Sequence, residues 1–220
     1  AMLASLKIKA TLVDQDKILS KKSIFKDSRT IAIAAGTRKL FEKHDLWKKI
    51  SPFVEPINNI KVFNRSEDSK ILFNKDKQYG PMGHIIQHSS LKQALIKSIQ
   101  SSKYINFIEN FKITETIADD DYIQIVNDKN IDMSARLIIA ADGKASILKS
   151  LNKIRSYKIK YSQSALALNF KHSKNHKNTA YEIFLQKGPL ATLPVKNKIK
   201  KEFESSLIWS QPTTTTNRLL

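Results

Sequence analysis

The chain has 220 residues, 41% of them hydrophobic, which is enough for one large core or two smaller ones. It contains no cysteine, which excludes disulfides, thiolate metal sites and a cysteine nucleophile. The net charge of +18 would suit nucleic acid, but the basic residues are spread from Lys7 to Lys201. Their dense runs are Lys48-Lys49 and Lys196 to Lys201, without an aromatic-rich RNA-binding signature, so the charge reads as a solvated face, with an anionic membrane surface second.

No apolar run reaches the roughly 20 residues of a membrane span, and the N-terminus lacks the order of a signal peptide. A cytoplasmic protein is expected, with peripheral attachment at the inner membrane face as the alternative. In chain order, Ala1 to Leu6 has the composition of a helix's last turns, and Ile8 to Asp14 that of a buried parallel strand ending in an acid. A helical segment runs from Gly36 through Leu40, Phe41 and His44 to Leu46-Trp47, closed by Pro52 and Pro56. Alternation predicts strands over Ile57 to Phe63 and Lys70 to Phe73, with a turn at Gly80 to Gly83.

From Ser89 or Ser90, a polar N-cap, apolar residues at spacings of three and four predict a helix through Ile99. Ile105 to Ile108, Lys112 to Ile117 and Tyr122 to Val126 read as strands, the last two a hairpin joined by Asp119 to Asp121. Arg136 to Ala141 reads as a second buried strand, followed by Asp142-Gly143 and a short helix from Ser146 to Leu151. Antiparallel strands are expected over Tyr157 to Phe170, Ala180 to Leu185, Ala191 to Val195 and Ser205 to Trp209, and residues 213–220 are expected to fray.

The segment Ile138-Ile139-Ala140-Ala141-Asp142-Gly143-Lys144-Ala145-Ser146-Ile147-Leu148-Lys149 resembles the Asp-Gly motif of flavoprotein aromatic hydroxylases, G-A-D-G-x-x-S-x-[VL]-R. Ala140 stands where Gly is usual and Lys149 where Arg is usual. Three further stretches resemble the ubiquinone-biosynthesis branch and stand in its order. They are Asp27-Ser28-Arg29-Thr30 with Gly36-Thr37-Arg38 and Leu46-Trp47; Gly83 to His88 leading into Leu91 and Leu95; and Gly188 to Pro194 followed by Ser206 to Trp209.

The resemblance implies an α/β protein, a partial Rossmann-type FAD-binding domain (1–56 and 84–155) interleaved with an antiparallel β-sheet substrate domain (57–83 and 156–212). It implies FAD and NAD(P)H as cofactors, and a polyprenyl-phenol substrate hydroxylated with O₂. Asp14 takes the place of the ribose-binding acid, which follows a Gly-rich phosphate loop by about 20 residues. Arg29 takes that of an arginine approaching the FAD phosphates, where its planar fork bonds oxygens bidentately. Asp142 stands near the flavin ribityl chain, with Gly143 permitting close approach or a positive φ. Gln87 or His88 lines the flavin, His88 standing where Asn is usual. No catalytic triad is implied, since the cofactor carries the oxidation, and no metal site is expected. The chain contains neither the family's G-x-G-x-x-G loop nor its later Gly-Asp motif, so these 220 residues alone are expected to bind FAD weakly or not at all. The expectation from another class is a basic, non-enzymatic protein binding nucleic acid or an anionic membrane.

Overall fold

The computed structural model describes residues 1–17, 27, 29–64, 70–197 and 202–219; Ser28 of the Asp27 motif and most of the Lys196 to Lys201 run lie outside them. The architecture is mixed α/β. Helix α1 (Met2–Ser5) leads into β1 (Ala10–Val13), which pairs in parallel with β7 (Ile105–Ile108), Leu12 standing opposite Phe107. The expected buried strand is therefore a sheet edge, and Leu12 keeps 40% of its surface exposed.

Strand β2 (Thr30–Ala34) pairs antiparallel with β6 (Gly83–Gln87), which also carries β3 (Glu55–Ile57). The helical segment between them is broken in two: α2 (Ala35–Lys43) ends where Asp45 enters the left-handed region at φ 55°, and α3 (Trp47–Ile50) restarts after it. At that break the Leu46 N–H bonds back to the Phe41 carbonyl and the Asp45 N–H to the Glu42 carbonyl, a Schellman C-cap. Helix α4 (His88–Gln100) follows β6 directly. Its apolar spacing buries Ala94 against Ile33, Leu46, Ile50, Val54 and Ile86, the core of this part of the molecule. The expected serine N-cap is not used. Helix α4 begins earlier, at His88, with Gln87 at the cap and no side-chain cap bond; the Gln87 amide is turned to Glu204 and Ser89 is buried.

The predicted hairpin is present as β8 (Ile113–Ala118) and β9 (Ile123–Asn127), extended by β10 (Asp132–Ala135) into a three-stranded meander. Its apolar face packs Phe111, Ile125 and Leu148 with Val13, Ile108 and Ile138, covering one side of the β1–β7 pair. Arg136 to Ala141, expected as a buried strand, forms no ladder, and Leu137 and Ile139 are 73% and 68% exposed. An apolar run specifies burial only when strands flank it, and among the described residues none pairs with it. A 3₁₀ turn (Gly143–Ala145) and α5 (Ile147–Leu151) follow.

The largest sheet has the order β11-β14-β13-β12-β4-β5, built from β4 (Asn59–Asn64), β5 (Lys70–Asn74), β11 (Gln163–His172), β12 (Thr179–Leu185), β13 (Gly188–Val195) and β14 (Phe203–Pro212). All its ladders are antiparallel except β4–β12, which runs parallel. Ile57 and Ile85 of the three-stranded sheet join Ala180 and Val195 of this one in a shared core. Residues 213–219, expected to fray, form α6 (Thr213–Leu219). The Thr213 N–H bonds the Ser162 carbonyl, the Thr216 hydroxyl bonds the Thr213 carbonyl, and Thr216 is buried, so docking overrides the poor helix propensity of a threonine run.

Candidate functional site

One cleft of about 450 Å³ is lined by Leu12 of β1 and Asp14 just after it, His88, Leu91 and Leu95 of α4, Phe107 of β7, and Ala141 beside Asp142. The cleft lies at the carboxyl end of β1, where open α/β sheets bind ligands. Asp14 closes β1 by giving its N–H to the Ile108 carbonyl and accepting the Phe111 N–H on its own carbonyl. One carboxylate oxygen accepts the Asp16 N–H at 2.9 Å, fixing the side chain while leaving acceptor capacity free.

Arg29 and Gln87 sit on facing strand ends, where Thr30 registers with Gln87 and the His88 N–H bonds the Arg29 carbonyl at 2.8 Å. The Arg29 guanidinium grips Asp27 with Nε 2.9 Å from Oδ1 and Nη2 2.6 Å from Oδ2. Its fork holds the Asp27 carboxyl at about 2, well below the usual carboxylate range, and the same pair raises the arginine. His88 Nδ1 lies 3.0 Å from Asp27 Oδ2 but outside hydrogen-bonding alignment. Gln87 gives its amide to Glu204 Oε1 of β14 at 3.2 Å, and Thr30 its hydroxyl to Ser206 at 2.9 Å. The β2–β6 end is thereby tied to the large sheet.

Asp142 and Gly143 form the turn beyond Ala141. The Ser146 side chain and the Ile147 N–H, the latter at 2.7 Å, bond the Asp142 carboxylate and hold it below its usual range. Gly143 has φ +79°, a conformation L side chains rarely adopt, and open space where a Cβ would project.

The structure thus brings Asp14, His88 and Ala141 to one cleft, with Asp142 next in the chain. It places Arg29 and Gln87 at the foot of α4 with their polar groups engaged by Asp27 and Glu204. Asp27 was visible only as part of a motif. Glu204 was not visible, since it meets Gln87 across 117 residues. The polar groups suit the ribose side of a dinucleotide: a carboxylate at a strand end and a helix start without a capping side chain. Among the described residues no Gly-rich turn opens a helix to cradle a pyrophosphate.

No family model matches the chain. It is 26% identical over 185 residues to the ubiquinone hydroxylase UbiL of Rhodospirillum rubrum, covering 84% of this chain and 42% of that protein. Against the ubiquinone biosynthesis monooxygenase COQ6 of Homo sapiens the identity is 26% over 207 residues, covering 88% and 42%. Among solved structures, PqsL of Pseudomonas aeruginosa, described as a probable FAD-dependent monooxygenase, superposes with a TM-score of 0.78 at 16% identity over 99% of this chain and 59% of its own. The p-nitrophenol 4-monooxygenase PnpA from Pseudomonas putida gives 0.77 at 13% identity, covering 99% and 57%. The chain is therefore a homologue of the ubiquinone-biosynthesis hydroxylases with the FAD-dependent monooxygenase fold, and it spans less than half the length of the curated relatives it matches.

Proposed function

We propose that this chain supplies the ribose wall and the substrate-facing sheet of an FAD-dependent monooxygenase that hydroxylates a polyprenylated phenol in ubiquinone biosynthesis. The observation that carries this reading is the convergence of Asp14, His88 and Ala141, the residue before Asp142, on one cleft at the end of β1. The reading divides the chain into a flavin part, 1–56 with 84–155, and a substrate part, 57–83 with 156–212. The shared core of Ile57, Ile85, Ala180 and Val195 supports a fixed relation between these parts.

When bound, FAD would supply the activation of O₂, with NAD(P)H as the reductant. The chain's own residues bind and orient. Asp14 accepts from ribose hydroxyls, the Asp142–Gly143 turn approaches the ribityl chain with its backbone, and Arg29, already neutralised by Asp27, offers its remaining N–H donors to a phosphate. Gln87, held by Glu204, presents a fixed edge rather than a mobile one. The positive charge supports attachment to an anionic membrane surface, where a polyprenyl substrate resides; no helix of the described residues is long and apolar enough to cross a membrane. None of the relatives named above is a nucleic-acid-binding protein by its description, and that reading is not carried forward.

FAD titrated into the isotope-labelled chain should shift the amides of Asp14, His88 and Asp142 to Lys144. Affinity should be no tighter than about 10⁻⁴ M, because pyrophosphate contacts each contribute about 1.5–3 kcal/mol and their loop is not among these residues. Deleting the gene in its host should accumulate a polyprenyl phenol lacking one hydroxyl, read by mass spectrometry. Shifts confined to other surfaces, or an unchanged quinone pool, would refute the assignment.

A further inference from the structure

The strand expected over Tyr157 to Phe170 begins in the structure only at Gln163, the first residue of β11. Ahead of it, Lys153-Ile154-Arg155-Ser156-Tyr157-Lys158-Ile159-Lys160-Tyr161 runs outside any helix or strand, and every one of these residues is exposed. Both ends are fixed. The Lys153 N–H bonds the Ser150 carbonyl and the Ile154 N–H the Lys149 carbonyl, a Schellman cap on α5 with Lys153 at φ 50°. At the far end the Ser162 carbonyl accepts the Thr213 N–H of α6. Between these ties Ile154 is 59%, Tyr157 99%, Ile159 73% and Tyr161 78% exposed. Apolar residues exposed singly need no explanation, but a run of them marks a surface that something else covers. Charge narrows the choice. Between Asp142 and Glu182 the chain has no acidic residue, while eight lysines and Arg155 fall there. Among the described residues no carboxylate pairs with Lys153, Arg155, Lys158 or Lys160.

We propose that residues 153–161 form a strap that lies on a bilayer of anionic lipid. This rests on the membrane attachment put forward above and assigns it to one segment. Laid out in extended form, the strap turns Tyr157, Ile159 and Tyr161 to one side and Lys158 and Lys160 to the other. The first side enters the boundary between headgroups and acyl chains, where a tyrosine ring meets hydrocarbon and its hydroxyl stays wet. The lysine stems lie along that boundary and carry their ammonium groups to the lipid phosphates. Each cation held at such a surface strengthens binding about fivefold, so four without an acidic partner act together. Single-stranded nucleic acid would use the cations equally well, but it stacks its bases on rings. Ile154 and Ile159, half of the strap's apolar residues, offer no ring. The strap runs directly into β11, so it would hold the edge of the substrate-facing sheet against the bilayer.

The test is binding of the 220-residue chain to vesicles of mixed phosphatidylcholine and phosphatidylglycerol, with vesicles of phosphatidylcholine alone as control. Because the chain has no cysteine, S156C carries a single polarity-sensitive fluorophore, and Q78C, beyond β5 at the opposite edge of the large sheet, carries the comparison label. The anionic vesicles should shift the emission of the first label to the blue and leave the second unchanged. Y157S/I159S/Y161S and R155Q/K158Q/K160Q should each weaken sedimentation with those vesicles at least about tenfold. K39Q/K43Q/K48Q, which removes as many exposed charges from α2 and α3, should weaken it less than about threefold. The amides of Ile85 and Ile86 should stay protected from exchange in every variant, which shows that the fold is kept. Binding that the strap variants leave intact, or that the α2–α3 variant weakens equally, would overturn the strap and leave membrane attachment standing. No binding of the wild-type chain would overturn both. A shift of the S156C label with oligothymidylate but not with vesicles would reassign the strap to single-stranded nucleic acid and overturn the proposal.

Discussion

Arg29 and Asp27 form a two-pronged ion pair, with Nε 2.9 Å from one carboxylate oxygen and Nη2 2.6 Å from the other, two residues apart at the mouth of β2. Its geometry sets the charge presented at the foot of α4. Arg29→Ala should return the Asp27 carboxyl from about 2 toward the ordinary carboxylate value, near 4, read by carbon NMR titration. A depressed acid contributes stability that is present above its unfolded value and lost as pH falls through its folded one, so the wild type should lose this contribution progressively as pH falls from about 4 to about 2. The loss should be small because the arginine side chain is 70% exposed.

Asp142 tightens the turn into α5 by accepting the Ile147 N–H. Asp142→Ala should cost about 0.5–1 kcal/mol in urea unfolding, the range of a lost exposed cap. Asp142→Asn should cost less, since its amide oxygen still accepts. Equal melting of wild type and alanine variant would show that the Ser146 cap alone holds α5.

Ile85 lies fully buried in β6, between Ala32 on one neighbour strand and Glu55 on the other, and joins the two sheets' cores. Ile85→Ala should cost about 2–5 kcal/mol, a cavity at a site walled on both sides by ladders. Ile71→Ala, on exposed β5, should cost far less by the same measurement.

His84 is buried beside Trp47, its ring centroid 4.9 Å away, and its Nδ1 has no hydrogen-bond partner. Burial pushes its pKa down, as it does for His176. With the folded value below the unfolded one, the unfolded chain binds more protons as pH drops. Stability should therefore fall as pH goes below about 6.5, the ordinary histidine value. His84→Phe should flatten that slope without abolishing it, because His176 remains. An unchanged slope would place the titration elsewhere.

Gly188 opens β13 at φ 143°, and a Cβ there would overlap the Ser210 carbonyl of β14. Gly188→Ala should lower stability by more than about 1 kcal/mol, since neither the backbone angle nor the neighbouring strand can yield cheaply.

What was legible in the sequence followed the physics of period. Alternation over Ile113–Asn127 identified a hairpin and its turn, and three-four spacing from Leu91 to Ile99 identified α4, because each pattern is satisfied by neighbours close in sequence. Arg136 to Ala141 was misread because its apolar run reports what the strand needs, and the partner is not among the described residues. The threonines of α6 were misread because their order comes from docking on Ser162 and Ser164, which composition does not encode. Motif position singles out Asp14 and Asp142 in the sequence, and the structure sets Asp14 and Ala141, the neighbour of Asp142, along one cleft. The grip of Asp27 on Arg29 depends on a local backbone turn, and that of Glu204 on Gln87 on the meeting of two sheets.

The parallel pairing of β4 with β12 has a consequence for synthesis. Asn59–Asn64 emerges from the ribosome long before Thr179–Phe184, its partner in the finished sheet. At ordinary translation speeds the interval is on the order of ten seconds. During it the paired strands β4 and β5 lack β12 on the β4 side, while β5 carries Ile71, Leu72 and Phe73, which remain exposed even in the folded chain. Nascent-chain aggregation, and recruitment of chaperones that bind extended apolar segments, should therefore concentrate on Asn59–Asn74 until the ribosome has passed β12.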